Sequence, residues 1–586
     1  MIKHTSPISG IDAHGDLVVT AGYDNRIILW NALTRTAMTE ARHDHLANQC
    51  RFSSSGRIVV TSSSDYSARL WSVPDLRLIS VLTDQKDDVE MTVVSPDETR
   101  VATASRDHIA RIYDLDGRLI HRLEGHEEDV LSVEWVRDGA ELVTTSDDGT
   151  VRRWDAADGA LLSTVDLGDV ETDTVAVLGV DRFALGNDAG ELILIDPSGT
   201  RRHRVHDAGI KRIAYDADAG LLLSSSYDRT VRLWRLAPGA DPVHLLTSEV
   251  PAEVWLRSCA RLDATRWVFG TFGSSYAVFD RADGSWDLTG VTPTPGLNAV
   301  TNAPAGRFTV GDSGAVRRDG ETVAELGSCC NFITAVAGTV VSGGQLGALY
   351  DATTGALLHQ HRSPLNCAAV HTSADGETLV VGTYTGEALV LRDTAGTGLQ
   401  LVGEHRIQDN AVKGVAVQGD VLFSVCATGA AAWHSLPDLK SVATDDAAHA
   451  RIANGAAALP DGRFVSVSRD LTLRIWTAAG EPEAVVNTPH LNSIKCVAVD
   501  PHTSLIATGG YHGQVAVYDP GSGAWVSDTR PTPSGISALA PAGSPGRFLA
   551  SSYDGCVYEI AAGAADTADA ADTADTAGAG AGRDSR

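Results

Sequence analysis

Three sets of polar side chains in this sequence have the residue types that acid–base chemistry uses. His126, Thr144 and Asp148 form one set, and the same types return twice at nearly the same spacing. The other two sets are His206, Ser224 and Asp228, and His449, Ser466 and Asp470. Histidine titrates near neutral pH and carboxylates accept protons, so each set alone would suggest a catalytic site. Each set, however, lies inside a longer repeated unit, which favours a structural role over chemistry.

The chain repeats this longer unit fourteen times. Each unit runs from an apolar strand through a small Ser/Thr/Gly turn and an Asp to a second strand that usually ends in an aromatic residue. The closing position is occupied by Trp30, Trp71, Tyr113, Trp154, Ile195, Trp234, Phe279, Val316, Tyr350, Leu391, Trp433, Trp476, Tyr518 and Tyr558. Neighbouring closing residues are 34 to 45 positions apart, mostly 41 or 42. This period is typical of four-stranded propeller blades.

The repeat resembles the WD-repeat family from about residue 4 to 562, clearly in the well-formed copies and weakly around 296–350. The resemblance implies an all-β fold whose blades bury their faces against neighbouring blades. It also implies that a loop His, a strand Ser or Thr, the turn Asp and the final Trp are hydrogen-bonded inside a blade. On that basis the three sets, closed by Trp154, Trp234 and Trp476, are predicted to be structural.

Fourteen units predict two tandem seven-bladed β-propellers of four-stranded WD-type blades. The pattern breaks near residues 283–296, so we expect one propeller over residues 1–285 and the other over 286–562. No outer strand follows the last repeat; Met1–His4 is expected to close the first ring and Trp286–Val291 the second. The reverse arrangement, with the N-terminus reaching the last blade, stays open. Residues 563–586 contain mostly Ala, Asp, Thr and Gly, which predicts a disordered tail.

Composition disfavours several classes of function. The formal net charge of −28 argues against nucleic acid or anionic membranes as partners, because binding them requires Lys and Arg. The sequence has no membrane-spanning apolar run and no signal-peptide core at its start, which predicts a cytoplasmic protein. Eight scattered cysteines without a Cys-x-x-Cys pair indicate a reducing compartment and no structural zinc. Abundant Ala, Gly and Asp with little Lys suggest a bacterial genome rich in GC.

Two columns of the repeat predict the functional surface. One is the third residue of each innermost strand, which is polar between apolar neighbours, and the other is the residue before the turn Asp. Tyr and Arg recur there, and both are enriched where proteins bind partners. The predicted partner-binding residues are Tyr23, Arg106, Tyr227, Lys211 and Arg257 in the first ring and Tyr384, Lys413, Arg469, Lys495, Tyr511 and Tyr553 in the second. A channel wall wetted by water is the alternative, and Asn and Lys in the second ring would suit an anion.

Several repeats have lost the turn Asp, which leaves His361, His405 and His490 as candidates for metal binding or acid–base work, although simple drift of the pattern is the preferred interpretation. The sequence has no nucleophile elbow, phosphate loop, dinucleotide fingerprint or His-Glu-x-x-His. We therefore predict a non-catalytic scaffold that binds protein or peptide partners on the propeller faces, without cofactor or metal. The alternative is an enzyme or small-ligand-binding protein with its site at the mouth of one channel.

Overall fold

The computed structural model describes residues 2–168, 170–172, 174–393 and 398–563. Within these ranges the chain forms fifty-five strands and one 3₁₀ turn, Arg137–Gly139. Among the described residues, no helix is long and apolar enough to cross a membrane. The predicted disordered tail lies outside the described residues from position 564 onward.

The first half of the chain forms seven four-stranded antiparallel sheets, which we number 1 to 7 and call the first ring. Their strands follow chain order, from the innermost to the outermost: sheet 1, β1 (Ile8–His14), β2 (Leu17–Gly22), β3 (Arg26–Asn31), β4 (Thr36–Arg42); sheet 2, β5 (Ala47–Phe52), β6 (Ile58–Ser63), β7 (Ala68–Ser72), β8 (Leu78–Leu82); sheet 3, β9 (Val89–Val94), β10 (Arg100–Ser105), β11 (Ala110–Asp114), β12 (Leu119–Leu123); sheet 4, β13 (Val130–Val136), β14 (Glu141–Ser146), β15 (Thr150–Asp155), β16 (Leu161–Asp166); sheet 5, β17 (Thr174–Gly179), β18 (Arg182–Gly186), β19 (Glu191–Asp196), β20 (Gly199–Arg204); sheet 6, β21 (Ile210–Asp216), β22 (Leu221–Ser226), β23 (Thr230–Arg235), β24 (Val243–Glu249); sheet 7, β25 (Val254–Arg261), β26 (Arg266–Thr271), β27 (Ala277–Asp280), β28 (Ser285–Asp287).

The second half forms seven more sheets, numbered 8 to 14 and called the second ring. Their strands are: sheet 8, β29 (Leu297–Ala303), β30 (Gly306–Gly311), β31 (Ala315–Arg318), β32 (Glu321–Glu325); sheet 9, β33 (Cys330–Val336), β34 (Thr339–Gly344), β35 (Ala348–Asp351), β36 (Leu357–Gln360); sheet 10, β37 (Leu365–Ser373), β38 (Gly376–Thr383), β39 (Glu387–Asp393), β40 (Leu399–Arg406); sheet 11, β41 (Val412–Gln418), β42 (Val421–Cys426), β43 (Ala431–Ser435), β44 (Lys440–Asp445); sheet 12, β45 (Ala453–Ala458), β46 (Phe464–Ser468), β47 (Thr472–Trp476), β48 (Pro482–Asn487); sheet 13, β49 (Ile494–Val499), β50 (Ile506–Gly510), β51 (Val515–Asp519), β52 (Ala524–Thr529); sheet 14, β53 (Ile536–Pro541), β54 (Arg547–Ser552), β55 (Val557–Ala561).

Each ring closes on itself through its innermost strands. In the first ring β1 contacts β5, each later innermost strand contacts the next, and β25 returns to β1. In the second ring the same sequence of contacts runs from β29 to β53, which returns to β29. Apolar residues fill the space between neighbouring sheets: one cluster joins Ile11 and Trp30 of sheet 1 to Val268 and Val278 of sheet 7. This packing explains why the inner strands are buried on both faces whereas outer strands such as β16 are exposed.

The structure corrects two expectations about ring closure. Trp286 lies on β28 and pairs with Phe279 inside sheet 7, so this segment belongs to the first ring and does not close the second. His4 does not lie on a strand, since it precedes β1 and packs against sheet 1 through its side chain. Among the described residues sheet 14 has three strands, which leaves the outer edge of β55 without a neighbouring strand. The predicted boundary between residues 285 and 286 falls within β28.

Candidate functional site between the rings

The two rings face each other across one cavity of about 670 Å³, which we call the inter-ring cavity. Its wall contains all eleven predicted partner-binding residues, five from the first ring and six from the second. The face of each ring that carries these predicted residues is therefore turned towards the other ring. Partner binding by these eleven residues stays a prediction.

β-Bulges direct the lysines of the first column into this cavity. Strand pairing shifts by one residue between Ile210 and Arg212, so Lys211 is the extra residue of a bulge on β21. Lys413 on β41 and Lys495 on β49 occupy the same position. A bulge re-aims a side chain that regular pleating would place on a sheet face. In the sequence these lysines are visible as polar residues inside apolar strands. The bulge explains how such a residue can face the cavity while its neighbours stay in the core.

A recurring backbone hydrogen bond positions the second column. The amide of Tyr227 donates to the carbonyl of Gly209, just before the innermost strand of the same sheet, at 3.0 Å. The amides of Tyr384 and Arg469 donate in the same way to Pro364 and Ile452, at 2.9 and 3.0 Å. The turn after the second strand is thereby tied to the entry of the first. The side chain of the residue before the turn consequently projects towards the opposite ring.

Ion pairs and polar contacts join the two rings around the cavity. The Arg469 guanidinium pairs with Asp88, and Arg451 pairs with Asp87 at 3.3 Å between Nε and Oδ2. Further contacts between the rings are the Asn410 Nδ2 bond to Glu171 Oε2 at 3.2 Å, the His512 Nε2 bond to the Asp44 carbonyl at 3.0 Å, and the packing of His45 on Tyr511 with centroids 4.8 Å apart. These contacts involve several sheets of each ring, so the rings meet around a broad perimeter.

The two walls of the cavity carry opposite charge. The first ring contributes acids to the lining in excess of its cations: Asp87, Asp88, Glu90, Glu128, Asp129, Asp147 and Glu171 against Arg106, Lys211, Arg212 and Arg257. The second ring contributes mainly cations: Lys413, Arg451, Arg469 and Lys495 against Asp312. Opposite potentials favour the closed arrangement of the rings and fix how they align.

An arginine–carboxylate network occupies the first-ring wall. Glu90 accepts from Arg106 Nε at 2.6 Å and from Arg257 Nη2 at 2.8 Å, and Arg257 also donates to the Tyr23 hydroxyl at 3.0 Å. Burial opposes ionisation of Glu90, but Arg106 and Arg257 outweigh it and lower the pKa of this carboxyl. At Asp129, burial prevails over Arg106 and raises the pKa to about 6. Glu90 therefore finds its counter-charges within the first ring, whereas Asp87 and Asp88 pair with arginines of the second.

The three His–Ser/Thr–Asp–Trp sets are hydrogen-bonded inside single sheets. In sheet 4, His126 contacts Asp148 Oδ2 and Thr144 Oγ1, both at 2.8 Å, and Trp154 Nε1 donates to Thr144 at 2.9 Å. Sheets 6 and 12 repeat this arrangement with the predicted residues. Two further sets were missed: His4, Thr20, Asp24 and Trp30, and His43, Thr61, Asp65 and Trp71. The Trp and Asp positions of both were visible in the repeat alignment.

The three candidate histidines lie apart from the inter-ring cavity lining. His405 is exposed on the outer strand β40. In this sheet Gln408 takes the place of the loop histidine and donates to Ser424. His490 still bonds Thr508 at 2.8 Å, and burial lowers its pKa to about 4. His361 contacts Ser363 within its own loop. In the described part of the chain, no group of three or more His, Cys, Asp or Glu is arranged to hold a metal ion.

Comparison with known proteins identifies the repeats. The family model "WD domain, G-beta repeat" matches residues 1–31, 38–72, 76–114, 117–155, 199–235 and 482–519, so the chain contains WD40 repeats. Similar proteins include Echinoderm microtubule-associated protein-like 2 from Rattus norvegicus, 22% identical over 40% of this chain and 42% of the relative. Transducin beta-like protein 3 from Homo sapiens is 30% identical over 39% of this chain and 32% of that protein.

A third relative is the Ribosome biogenesis protein WDR12 homolog from Drosophila persimilis, 24% identical over 42% of this chain and 65% of its own length. The chain spans less than two thirds of each of these three relatives. All three are animal proteins, so they do not support the expected bacterial origin.

Proposed function

We propose that this protein is a non-catalytic interaction scaffold built from two seven-bladed β-propellers, one for each ring. The closed contacts from β1 to β25 and from β29 to β53 support two propellers, with the boundary between Asp287 and Leu297. The WD40 repeats support four-stranded blades of this type. In this proposal the protein is cytoplasmic and binds other proteins rather than nucleic acid or membranes.

The observation that carries the scaffold proposal is a row of exposed apolar side chains on the outer strands of sheets 2 to 4. We call this row the outer rim. It comprises Leu78, Ile79 and Val81 on β8, Ile120 on β12, and Leu161 and Leu162 on β16. Leu161 and Leu162 are 46% and 49% exposed. Clustered apolar side chains on a surface mark sites where proteins bind each other.

Hydrogen bonds link β8 and β12 each to the turn that precedes the outer strand of the next sheet. The Ser80 hydroxyl on β8 donates to the Leu115 carbonyl of sheet 3 at 2.8 Å. His121 on β12 bonds the Ala157 carbonyl of sheet 4 through Nε2 at 2.9 Å. The apolar side chains consequently lie on adjacent sheets of the first ring, and we propose that those on the same side form a docking surface.

The placement of the predicted face residues also favours the outer rim as docking surface. Lys211 and Arg469 sit between the rings and pair with acids there, so a folded partner could not reach them without separating the rings. The names of two relatives refer to association with microtubules and to the biogenesis of ribosomes. Such names fit a protein that works through contacts with other proteins.

The test compares capture of a partner by the full chain and by rim variants. Immobilised protein is incubated with extract of the source cells, with and without nuclease treatment, and bound proteins are quantified by mass spectrometry. The proposal expects at least one protein captured at stoichiometric level by the unchanged chain and lost with I79S and L162S. A matched control, L491S, changes an isolated loop leucine that is 90% exposed and should leave capture intact.

Two outcomes would contradict the proposal. One is equal capture by I79S, L162S and the unchanged chain, provided that circular dichroism shows all three folded. The other is capture that disappears with nuclease, which would assign the rim to a nucleic-acid complex instead.

A further inference from the structure

Two lysines in the inter-ring cavity differ from five of the six other cations of its wall, which form ion pairs; among the described residues Arg212 is the exception. Arg106 and Arg257 bind Glu90, Arg451 and Arg469 bind Asp87 and Asp88, and Lys211 binds Asp188. Lys413 and Lys495 form no such pair: within the described ranges no carboxylate makes an ion pair with either ammonium. Both are nevertheless part of the cavity lining and at most partly exposed. Ammonium groups held away from bulk water without a counter-charge are costly, so they favour an external anion.

The surroundings of Lys413 strengthen this attraction. Burial, the Lys495 ammonium and the Arg469 guanidinium together lower the pKa of Lys413 to about 7. Arg106 acts in the same direction from the opposite ring. The Cys367 thiol acts in the opposite direction on the pKa of Lys413, and burial raises the pKa of Cys367 itself to about 12. An anion bound here would therefore meet several positive groups and replace the missing counter-charge.

One aromatic ring lies beside Lys413, and two others belong to the same cavity lining. The Lys413 ammonium is 5.1 Å from the centroid of the Tyr384 ring. Tyr511 and Tyr553 stack with centroids 6.3 Å apart and planes at 17°. All three tyrosines belong to the cavity lining and offer flat apolar faces with polar ends. A volume of about 670 Å³ falls in the range of small-molecule sites.

We propose that the inter-ring cavity binds a small organic anion, with its carboxylate or phosphate group held by Lys413 and Lys495 and its body packed against Tyr384. This inference goes beyond the scaffold function and is independent of it, because the outer rim and the inter-ring cavity share no residue. It also differs from a site at one channel mouth, since residues of both rings line the cavity.

The experiment measures binding of two aromatic anions by isothermal titration calorimetry on the full chain. Phenyl phosphate and phenylacetate are the probes, so that the two arms separate a phosphate from a carboxylate, and benzyl alcohol is the neutral comparator. We expect at least one anion to bind and benzyl alcohol not to bind. K413M and K495M should each weaken the affinity tenfold or more, whereas K413R, which keeps the charge, should retain most of it.

Lys440 provides the matched control. It is an exposed lysine on β44 that pairs with Asp438 at 3.2 Å, and K440M should leave the affinity of the probes unchanged. The rim variant I79S should also bind the probes like the unchanged chain, which separates failure of this inference from failure of the scaffold proposal. Circular dichroism establishes that each variant is folded.

The inference is overturned if neither anion binds the unchanged chain at millimolar concentration. It is also overturned if folded K413M and K495M bind as tightly as the unchanged chain. Should one methionine variant fail to fold, the other together with K413R decides the outcome.

Discussion

Tyr227 and Tyr384 meet edge to face, with ring centroids 5.2 Å apart and planes at 69°. The first follows β22 in the first ring and the second follows β38 in the second, and both occupy the position before the turn in their repeats. The Lys211 ammonium lies 5.3 Å and 5.2 Å from the two ring centroids. Two residues predicted to bind partners thus contact each other within one chain. This relationship makes the contact between the rings the first feature to test.

Replacing Arg469 with methionine should destabilise the protein. R469M removes the guanidinium that pairs with the buried Asp88 carboxylate across the rings and leaves that charge without its main partner. Loss of one member of a buried pair costs roughly 3–5 kcal/mol. The change in unfolding free energy is measured from urea midpoints and slopes.

An exposed pair supplies the comparison. R547M breaks the contact of Arg547 with Glu559, whose side chains are both 52% exposed, and should cost at most about 1 kcal/mol. If R469M and R547M had the same small effect, the ion pair between the rings would not contribute to stability.

Replacing the turn aspartates with alanine should destabilise single sheets. Asp148 and Asp228 accept from His126 and His206 at 2.8 Å and from nearby backbone and hydroxyl groups. D148A and D228A leave those donors unpaired, at roughly 1–3 kcal/mol each. Thermal unfolding measures the loss, and D438A, which changes an exposed acid, is the control. Unchanged stability together with a lost activity would identify the aspartates as functional.

The same aspartates predict a loss of stability in acid. Burial opposes ionisation of Asp228, but His206 and Thr230 outweigh it and lower its pKa to about 2, below the unfolded value of roughly 3.9. The contribution is therefore complete above the unfolded pKa and is lost as pH falls towards 2. D228A should lower the unfolding free energy at pH 6 but have a progressively smaller effect as the solution is acidified. An effect independent of pH would contradict this assignment.

The single sheets could be predicted from the sequence because their determinants are local. Trp154, Thr144 and Asp148 lie within one repeat, so their spacing alone reports the hydrogen-bonded set. Outer strands are harder to predict from the sequence. Because β28 has only three residues and follows a degenerate repeat, the pattern places Trp286 in the wrong ring. A short strand at the end of a pattern carries little periodic information.

The arrangement of the rings could not be predicted from the repeat. The columns group Lys413 with Arg469, and both line the same cavity. However, no period of the repeat relates Arg469 to Asp88, its partner in the other ring. Such a pairing depends on the rigid-body alignment of two closed surfaces. The bulges that turn Lys413 and Lys495 into the cavity are likewise a property of strand register, which side-chain alternation alone does not specify.

A thiol reagent should distinguish one cysteine from the other seven. Cys556 is exposed, Cys367 is partly buried and the remaining six are buried. With Ellman's reagent at pH 8, about one thiol of the folded protein should react quickly and release one equivalent of nitrothiobenzoate. C556S should release none on that timescale. Burial and the neighbouring Asp554 raise the pKa of Cys556, so the fast phase should accelerate as pH rises further. Denaturant should expose all eight thiols. Fast reaction of C556S would show that another cysteine is accessible.

Replacing Lys413 with methionine should change how stability depends on pH. Burial, Lys495 and Arg469 lower the pKa of Lys413 to about 7 in the folded protein, whereas an unfolded lysine titrates near 10.4. Between these values the unfolded chain binds more protons at this site, so the unfolding free energy contributed by Lys413 rises with pH. Below pH 7 the amine is charged, buried and close to other cations. The free-energy cost of holding it in the folded protein is therefore greatest there.

K413M removes that cost, so the variant should exceed the unchanged chain in stability most clearly below pH 7, and the difference should shrink as pH approaches 10. Urea midpoints measured at intervals from pH 6 to pH 10, without added anion, give the comparison. K440M, which removes an exposed charge, should show a difference that does not vary over this range. A constant difference for K413M as well would mean that Lys413 keeps an ordinary lysine pKa. The ammonium would then be satisfied by water rather than held as an unpaired charge between the rings.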